Sequence, residues 1–390
     1  MKILWIKADF LHPTTRGGQI RTLEMLKRLH QRHEVHYVGL EDASQPEGVA
    51  RAGEYCSRAY PIRHSATDKT SLAFAADLLA GLWSPVPVAV SRWRSAAMKH
   101  KIDELRRGER FDSVVCDFLF PSVNISDLSS CVLFQHNLES IIWQRRAQHA
   151  GGLSGPYLKL QASRMCAYER AVSRSVKSIV AVSEADAEAM RSRYGVSRVS
   201  AIPTGVDVEH FTAADRTKGT DLVFVGSMDW MPNVDGVLWF AREALPLIRR
   251  RRPDCSFAIV GRQPPSAIQA LAAGNGIQVT GTVPDVRPHL WGASIAVVPL
   301  RIGGGTRLKI YEAMAARTPV VSTSIGAEGL QIHPGEHIAV ADTPESFAAS
   351  CLKLLENEGE RVRMADAAWR LVHDRFTWEV VVDSFERLLT

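Results

Sequence analysis

The chain has 390 residues, 46% of them hydrophobic and 23% charged, and a formal net charge of +5. This is the composition of a soluble globular protein, and no window is apolar for long enough to span a membrane. The modest charge does not indicate nucleic acid, although it is compatible with anionic ligands or an anionic membrane surface.

Other global features point to a cytoplasmic protein. The six cysteines form no CxxC pair, so neither a zinc site nor a disulfide framework is indicated. The first apolar run, in "MKILWIKADF", is broken at Lys7 and Asp9 and is too short for a signal peptide. We therefore expect a soluble protein in the cytoplasm, or at most one that lies on the inner face of the membrane.

Short runs rich in Val and Ile alternate with amphipathic segments of helical length, which predicts an α/β fold with parallel sheets. The first half has predicted strands at 2–7, 35–39, 113–116, 131–135 and 178–182. The second half has predicted strands at 222–226, 256–261, 277–281, 295–299 and 319–322. The pattern thus predicts two similar domains.

The domain boundary is predicted in "AIPTGVDVEHF", whose Pro and Gly are typical of a turn. The expected domains are therefore residues 1–203 and 204–375. A final helical segment at 378–389 has no strand after it, so residues 376–390 are free to pack elsewhere, for example on the first domain.

Ligands of parallel sheets bind beyond the carboxyl ends of the strands. In the first half these positions hold Gly17, Gly18, Asp117, His136, Ser183 and Glu184. In the second half they hold Ser227, Arg262, Thr282 and the loop with Gly303, Gly304, Gly305, Thr306, Arg307, Lys309 and Glu312. Two such edges facing each other would form a cleft. We interpret Asp117, Glu139 and Ser183 as structural.

The stretch "VVPLRIGGGTRLKIYEAMAARTPVVST" predicts a strand, a glycine loop and a helix at 306–317 with Thr306 as its N-cap. Glycines let the backbone approach a ligand, and the first helical turn presents N–H groups to an anion such as phosphate. A dinucleotide-dependent oxidoreductase fits poorly, because no strand is followed by GxGxxG, and a Walker loop is absent.

Seven strings, in order, carry a resemblance to a known family. They are "RGGQIRTLEMLKRL", "VAVSEADAEAM", "IPTGVDVEHF", "LVFVGSM", "FAIVGRQPP", "VTGTVPDVRPHLWGASIAVVPL" and "KIYEAMAARTPVVSTSIGAEGL". The chain resembles the retaining nucleotide-sugar glycosyltransferases of family four. The resemblance implies the GT-B architecture, in which two Rossmann-like domains, an acceptor domain and a donor domain, face each other across a cleft.

The resemblance also implies roles for individual residues. Glu312 would hold the donor ribose, the backbone around Thr282 and Val283 would meet the base, and the Gly17-Gly18 loop would approach the donor phosphates. His136 would lie near the donor sugar as the catalytic residue. The implied chemistry is transfer with retention by front-face displacement, in which a leaving phosphate oxygen takes the acceptor proton, without a metal or another cofactor.

The sequence departs from the family at two places. The family commonly has two glutamates separated by seven residues, of which the second is Glu312 and the first falls at Gly304, which has no side chain. The family's Arg and Lys after the first strand of the second domain are missing, and Ser227 and Asn233 stand there instead. We interpret Arg307 and Lys309 as replacement cations for the donor diphosphate.

The expected partners are a nucleotide-sugar donor and a glycan, lipid-linked or small-molecule acceptor, in polysaccharide or glycoconjugate synthesis, with no nucleic acid. Segment 78–101 combines Trp83 and Trp93 with basic residues, which suits a lipid interface as well as it suits a packed core with a basic exterior. The missing glutamate leaves one alternative open, a catalytically weak nucleotide-sugar-binding scaffold. A sugar-nucleotide epimerase on a similar fold is a third option. The sequence does not specify the nucleotide, the sugar or the acceptor.

Overall fold

A computed structural model describes residues 1–14, 17–64, 81, 83–148, 151–152, 154–212, 219–274, 276–302 and 307–389. The chain forms two compact units. The first consists of Met1–Pro203 together with Val381–Thr390, and the second of Thr204–Val380.

The first unit is built on a parallel sheet. Its strands are β1 Lys2–Ile6, β2 Glu34–Glu41, β3 Arg58–Arg63, β4 Ser113–Asp117, β5 Cys131–Phe134, β6 Ser178–Ala181 and β7 Val199–Ala201. Their order across the sheet is β3-β2-β1-β4-β5-β6-β7. Its helices are α1 Gly17–His30, α2 Glu47–Ala50, α3 Val88–Ser91, α4 Ala96–Gly108, α5 Glu139–Gln148, α6 Ser154–Ser175 and α7 Glu184–Tyr194. Because β1 lies beside β4, and β4 beside β5, residues that follow these strands meet at one edge.

The second unit has the same plan. Its strands are β8 Thr220–Val225, β9 Phe257–Val260, β10 Ile277–Gly281, β11 Ala293–Val298, β12 Val320–Ser322 and β13 Ala339–Val340, in the order β10-β9-β8-β11-β12-β13. Its helices are α8 Val208–Phe211, α9 Met231–Trp239, α10 Leu245–Arg251, α11 Ser266–Gln269, α12 Arg287–Trp291, α13 Leu308–Ala315, α14 Pro344–Glu356 and α15 Glu358–Arg375. The last helix, α16, spans Trp378–Leu389. Both units are Rossmann-like α/β folds, which confirms the predicted fold class.

All predicted strands are present, with ends shifted by two residues at most. The sequence did not predict β3, β7 and β13, which all lie at sheet edges. The helix predicted at 306–317 is shorter: α13 begins at Leu308 and Arg307 occupies the N-cap position, without a capping side-chain hydrogen bond. The prediction of Thr306 as N-cap is therefore wrong, because Arg307, at φ −96° and ψ 42°, lies outside the helical region and delays the start of the helix.

Helix α16 carries the chain back to the first unit, which contains Val381 onwards. The side chain of Phe385 is fully buried and packs on Trp5 and Phe134, with ring centroids 5.8 and 5.0 Å away. Among the described residues, no helix combines the length and apolar character needed to cross a bilayer.

Candidate functional site

Three strand ends of the first unit bring Lys7, Asp117 and His136 together. Lys7 follows β1, Asp117 ends β4 and His136 lies two residues after β5. All three side chains are buried. Lys7 Nζ lies 3.1 Å from Asp117 Oδ2, and His136 Nε2 lies 2.7 Å from Asp117 Oδ1. The edge of this sheet thus holds a buried cation, a carboxylate and an imidazole in direct contact.

Asp117 is the centre of this cluster. Besides Lys7, its Oδ2 accepts hydrogen bonds from Trp5 Nε1 at 2.9 Å and Thr22 Oγ1 at 2.7 Å. Burial opposes ionisation of the carboxyl, but Lys7 and His136 outweigh it, and the pKa of Asp117 lies well below its usual value. Asp117 is therefore an ionised, fully coordinated carboxylate.

His136 is 1% exposed and stacks on Phe118, with ring centroids 4.0 Å apart and planes 6° from parallel. Burial lowers the pKa of His136 to about 3, against the opposing effect of Asp117. The imidazole is therefore neutral at physiological pH. Its Nδ1 atom is buried and accepts or donates no hydrogen bond within the described part of the chain.

Phe118 and Gly18 complete the first-unit cluster. Phe118 has φ +73°, a conformation that is costly for a bulky residue and that is concentrated at functional sites. A Cβ atom added at Gly18 would lie 2.6 Å from Phe118 Cζ and 3.7 Å from His136 Nδ1. The structure thus brings the predicted Gly18 and His136 together, with Gly17 as the first residue of α1.

In the second unit, the ends of β8 and β9 bring together the predicted Ser227 and Arg262. Arg262 Nε donates to Ser227 Oγ at 2.7 Å, and its Nη2 lies 2.9 Å from Asp229 Oδ2. The two strand ends lie so close together that a Cβ atom added at Gly261 would be 1.8 Å from the carbonyl oxygen of Gly226. Position 261 therefore has no room for a side chain.

Lys309, on α13, joins the same edge. Its Nζ donates to Asn233 Oδ1 at 2.7 Å and lies 4.4 Å from the centre of the Phe224 ring. Asn233 Nδ2 in turn donates to the carbonyl oxygen of Ser227 at 2.7 Å. Among the described residues no carboxylate lies within ion-pair distance of Lys309 Nζ. Burial, and then Arg307, lower the pKa of Lys309 to about 7.

Glu312 lies one turn further along α13 and is half-buried. Burial raises the pKa of Glu312 to about 7, although Lys309 opposes this change. Its carboxylate makes no ion pair shorter than 4 Å within the described residues, so Glu312 and Lys309 do not form a salt bridge with each other.

Arg307 differs from Lys309. It was predicted on the first helical turn, but it precedes α13, and its Nη2 donates to the carbonyl oxygen of Ile325 at 2.8 Å. The same atom lies 3.6 Å from Glu328 Oε2. The two predicted phosphate cations thus have different partners: Arg307 contacts Ile325 and Glu328, whereas Lys309 contacts Asn233 at the β8 end.

Among the described residues, the predicted Thr282 and Val283 are not in the cluster of Ser227, Arg262 and Lys309. Thr282 and Val283 follow β10, at the outer edge of the sheet, where Thr282 is exposed and Val283 packs on the apolar core. Gly303, Gly304, Gly305 and Thr306 lie outside the described residues. Their roles stay predictions.

The sequence interpretation treated Asp117 as structural but did not predict its contacts with Lys7 and His136, and it did not consider Phe118. Two signals were available. Asp117 directly ends a buried strand, and Lys7 interrupts an apolar one. A strand-end carboxylate beside a strand-end lysine indicates a buried ion pair, because neither group is stable alone in a core.

A possible metal-ligand group, His333, Glu336 and His337, was also not predicted; its ligand atoms lie within 4.8 Å of one another. However, His337 Nδ1 accepts a hydrogen bond from the backbone N–H of His333 at 3.0 Å. The proton of a neutral His337 is therefore on Nε2, the atom that faces Glu336, and this atom lacks the lone pair a metal requires. The expectation that no metal is needed stays a prediction.

Comparison with known proteins adds the following. Residues 15–210 match the family model described as Glycosyltransferase Family 4, and residues 219–357 match the one described as Glycosyl transferases group 1. The first of these matches covers half of the chain.

Among the relatives is an uncharacterized 44.6 kDa protein in the cps region of Klebsiella pneumoniae, 20% identical over 98% of both chains. A phosphatidyl-myo-inositol mannosyltransferase of Mycobacterium tuberculosis (strain CDC 1551 / Oshkosh) is 29% identical over 48% of this chain and 52% of its own length. The solved structure of Anabaena HepE in complex with UDP and glucose has a TM-score of 0.69 at 12% identity, covering 100% of this chain and 99% of that one. At this identity, the last comparison shows a shared fold only.

Proposed function

Since the chain belongs to glycosyltransferase family 4 and has its GT-B fold of two Rossmann-like domains, we propose that it transfers a sugar from a nucleotide-sugar donor with retention of the anomeric configuration. The acceptor is a glycan, a lipid-linked molecule or a small molecule, in the synthesis of a cell-surface polysaccharide or glycoconjugate.

One observation carries the proposal for the donor site. Lys309 presents a half-buried ammonium group at the strand-end edge of the second unit, where an amide oxygen, and no carboxylate among the described residues, accepts from it. Partial burial of a cation without a paired anion is unfavourable, and the lowered pKa of Lys309 reflects this cost. A diphosphate supplies the missing charge.

The chain's own residues then have distinct tasks. Lys309 and the backbone at the ends of β8 and β9 stabilise the negative charge that develops on the leaving diphosphate. Glu312 accepts hydrogen bonds from the ribose hydroxyls when ionised. His136, on the first unit, contacts the transferred sugar. The acceptor proton goes to a phosphate oxygen, so no side chain is required as a base.

The nature of the acceptor is supported only by relatives and by one surface feature. One relative is named a phosphatidyl-myo-inositol mannosyltransferase, and another is described as lying in a cps region. On this chain, the side chain of Trp83 is 82% exposed in a segment rich in basic residues. An exposed Trp beside cations suits the headgroup region of an anionic membrane, which supports a lipid-linked acceptor.

A thermal-shift screen with UDP, GDP, ADP and their sugars tests the donor site. A nucleotide at one hundred times its dissociation constant should stabilise the protein by about 2.7 kcal/mol. Lys309→Met should weaken nucleoside diphosphate binding by about ten- to a hundredfold, because a charge-assisted hydrogen bond contributes about 1.5–3 kcal/mol. The nucleoside alone should bind as before.

Two variants serve as controls. Lys353→Met makes the same substitution at an exposed lysine on α14 and should leave binding unchanged. Glu312→Gln should weaken the binding of the nucleoside and of the nucleoside diphosphate alike, because both ligands contain the ribose that Glu312 is proposed to bind. If folded Lys309→Met binds the diphosphate like the wild type, the donor diphosphate binds elsewhere. If nucleotide sugars bind but are never turned over, the scaffold alternative is correct.

A further inference from the structure

Two large apolar side chains are exposed beside the proposed diphosphate site of the second unit. Trp230 is 41% exposed, and Met231, the first residue of α9, is 60% exposed. Single exposed apolar residues are common on protein surfaces, but adjacent ones next to a polar site are typical of a surface that a ligand covers. We call Trp230 and Met231 the apolar platform.

The order of the strands explains why the platform borders a ligand site. β8 and β11 are neighbours in the sheet, with β9 on the far side of β8 and β12 on the far side of β11. The connection after β8 therefore leaves to one side and the connection after β11 to the other, which opens a crevice at the carboxyl ends of the two strands. Trp230 follows β8 and Lys309 follows β11, so both residues border this crevice.

Specific contacts hold the start of α9 against the residues that follow β11. The side chain of Asn233 accepts a hydrogen bond from Lys309 Nζ at 2.7 Å, and its backbone N–H donates to the carbonyl oxygen of Trp230 at 3.0 Å. Asp235 forms an ion pair with Arg301 at 2.6 Å. A single residue, Asn233, therefore links the platform to the ammonium group of Lys309.

The polar side chains between β8 and the platform bind one another. Asp229 Oδ1 accepts a hydrogen bond from Ser227 Oγ at 2.5 Å, and Asp229 Oδ2 lies 2.9 Å from Arg262 Nη2. This pairing neutralises the carboxylate, which would otherwise repel a phosphate. The platform is then the part of this connection that is left for an apolar contact.

We infer that the indole ring of Trp230, next to Met231, stacks on the transferred sugar of the nucleotide-sugar donor. The inference rests on the proposed function and adds a residue that binds the sugar of that donor. A pyranose ring has a face of C–H groups, which an aromatic face binds through apolar burial and through attraction to its negative π-surface. A diphosphate bound at Lys309 brings the attached sugar within reach of the platform.

The two ends of the donor meet different helices. Glu312, the proposed ribose ligand, lies one turn beyond Lys309 on α13, whereas Asn233 joins Lys309 to the start of α9. A diphosphate centred on Lys309 therefore directs the nucleoside along α13 and the sugar toward α9. This division assigns the platform to the sugar and not to the nucleobase.

Calorimetric titration of the full chain tests the contact. The ligands are the sugar nucleotide that the thermal-shift screen identifies and the matching nucleoside diphosphate. Trp230→Ala should weaken binding of the sugar nucleotide by about three- to tenfold, the usual contribution of an aromatic stack, and leave binding of the diphosphate unchanged. Trp230→Phe keeps an aromatic face and should restore most of the lost affinity.

The substitution should leave the fold intact, because α9 uses only the backbone carbonyl of Trp230, which accepts from the N–H groups of Asn233 and Val234. Val362→Ala is the matched control. It truncates another exposed apolar side chain of the second unit, on α15 and 52% exposed, and should bind both ligands like the wild type.

NMR of the indole group gives a second readout. The indole ¹⁵N–¹H signal of Trp230 is assigned by its absence from Trp230→Phe. It should move when the sugar nucleotide is added and stay in place with the diphosphate. A signal that responds equally to the two ligands would overturn the inference, because the indole would then contact the nucleoside or the phosphates.

The affinities separate this inference from the proposed function. Equal losses for the two ligands in Trp230→Ala, or an unchanged affinity for the sugar nucleotide, would overturn the stacking contact while nucleotide binding stands. If no nucleotide of the screen binds to the wild type, the proposed function is wrong and the stacking contact is wrong with it.

Discussion

At the scale of single residues, the feature that decides the donor-site proposal is the environment of Lys309. Its ammonium group has an amide and an aromatic ring as neighbours, and burial lowers its pKa to about 7. In the free protein it is therefore partly neutral near physiological pH. Binding of an anion beside it must raise that pKa.

This environment predicts a pH dependence of nucleoside diphosphate binding. Below about pH 7 Lys309 is already charged in the free protein, so binding requires no proton uptake and the affinity should not depend on the ionisation of Lys309. Above pH 7 binding must first protonate it, so the association constant should fall by up to about tenfold per pH unit until the pKa of the complex is reached. Calorimetric titration from about pH 7 to 9 measures this slope.

Two variants assign the slope to its residue. Lys309→Met should bind the nucleoside diphosphate weakly at every pH, and its association constant should no longer fall above pH 7. Glu312 has a pKa raised to about 7 by burial and titrates in the same range, so Glu312→Gln shows how much of the slope belongs to Lys309. A decline that persists in Lys309→Met would mean that another group is responsible.

The structure places His136, Ser227 and Arg262 two residues after buried strands, where the sequence predicted strand ends, whereas Gly18 lies in α1. Their roles as site residues stay predictions. The contacts of Arg307 with Ile325 and Glu328 could not be read from the sequence, because they join segments that are adjacent only in the folded chain.

At the scale of secondary-structure elements, the start of α1 is fitted closely to the segment after β4. A Cβ at Gly18 would lie 2.6 Å from Phe118 Cζ. The Phe118 ring stacks on His136 and lies 4.3 Å from Lys7 Nζ, and these two contacts restrict its movement. The glycine is thus a requirement of packing between two elements.

Gly18→Ala should therefore lower the free energy of unfolding by about 1–3 kcal/mol, as overpacking does in a tight site. In an unhindered position the same change is neutral or slightly stabilising. Gly53→Ala is such a control, because nothing lies within 4 Å of a Cβ there. Urea unfolding measures the free energy of unfolding of both variants. Equal values would show that the Phe118 ring moves to make room for the added methyl group.

The strands that the sequence failed to predict share a physical cause. Strands buried on both faces, such as β4 and β5, appear as continuous apolar runs. By contrast, β3 is an edge strand with a proline and mostly exposed positions. The edge strands β7 and β13 have only three and two residues. Such segments are stabilised by pairing with a neighbour, and their sequence alone does not distinguish them from loops.

At the scale of the whole molecule, the chain returns to its starting unit. Helix α16 presents buried residues at 378, 381, 382, 385 and 389, which form one face of a helix. Arg32 also forms ion pairs with Asp383 and Glu386, at 2.5 and 3.1 Å. From Val381 onwards, the last helix is therefore part of the first unit.

Phe385→Ala should destabilise the first unit by about 3–5 kcal/mol, the cost of removing a buried aromatic ring. Hydrogen exchange should show faster exchange in β1 and β5, which carry the Trp5 and Phe134 rings, and little change in the second sheet. Val380→Ala, at a side chain that is 40% exposed, is the control. Equal exchange in the two variants would contradict the packing role of α16.

The central claim is that the chain transfers a sugar from a nucleotide donor with retention. The most direct test is proton NMR of the reaction with the sugar nucleotide that the thermal-shift screen identifies, recorded before any free sugar released by hydrolysis can mutarotate. We predict that the anomeric proton of the first product shows the same configuration as that of the donor. A first product of opposite configuration would contradict the account.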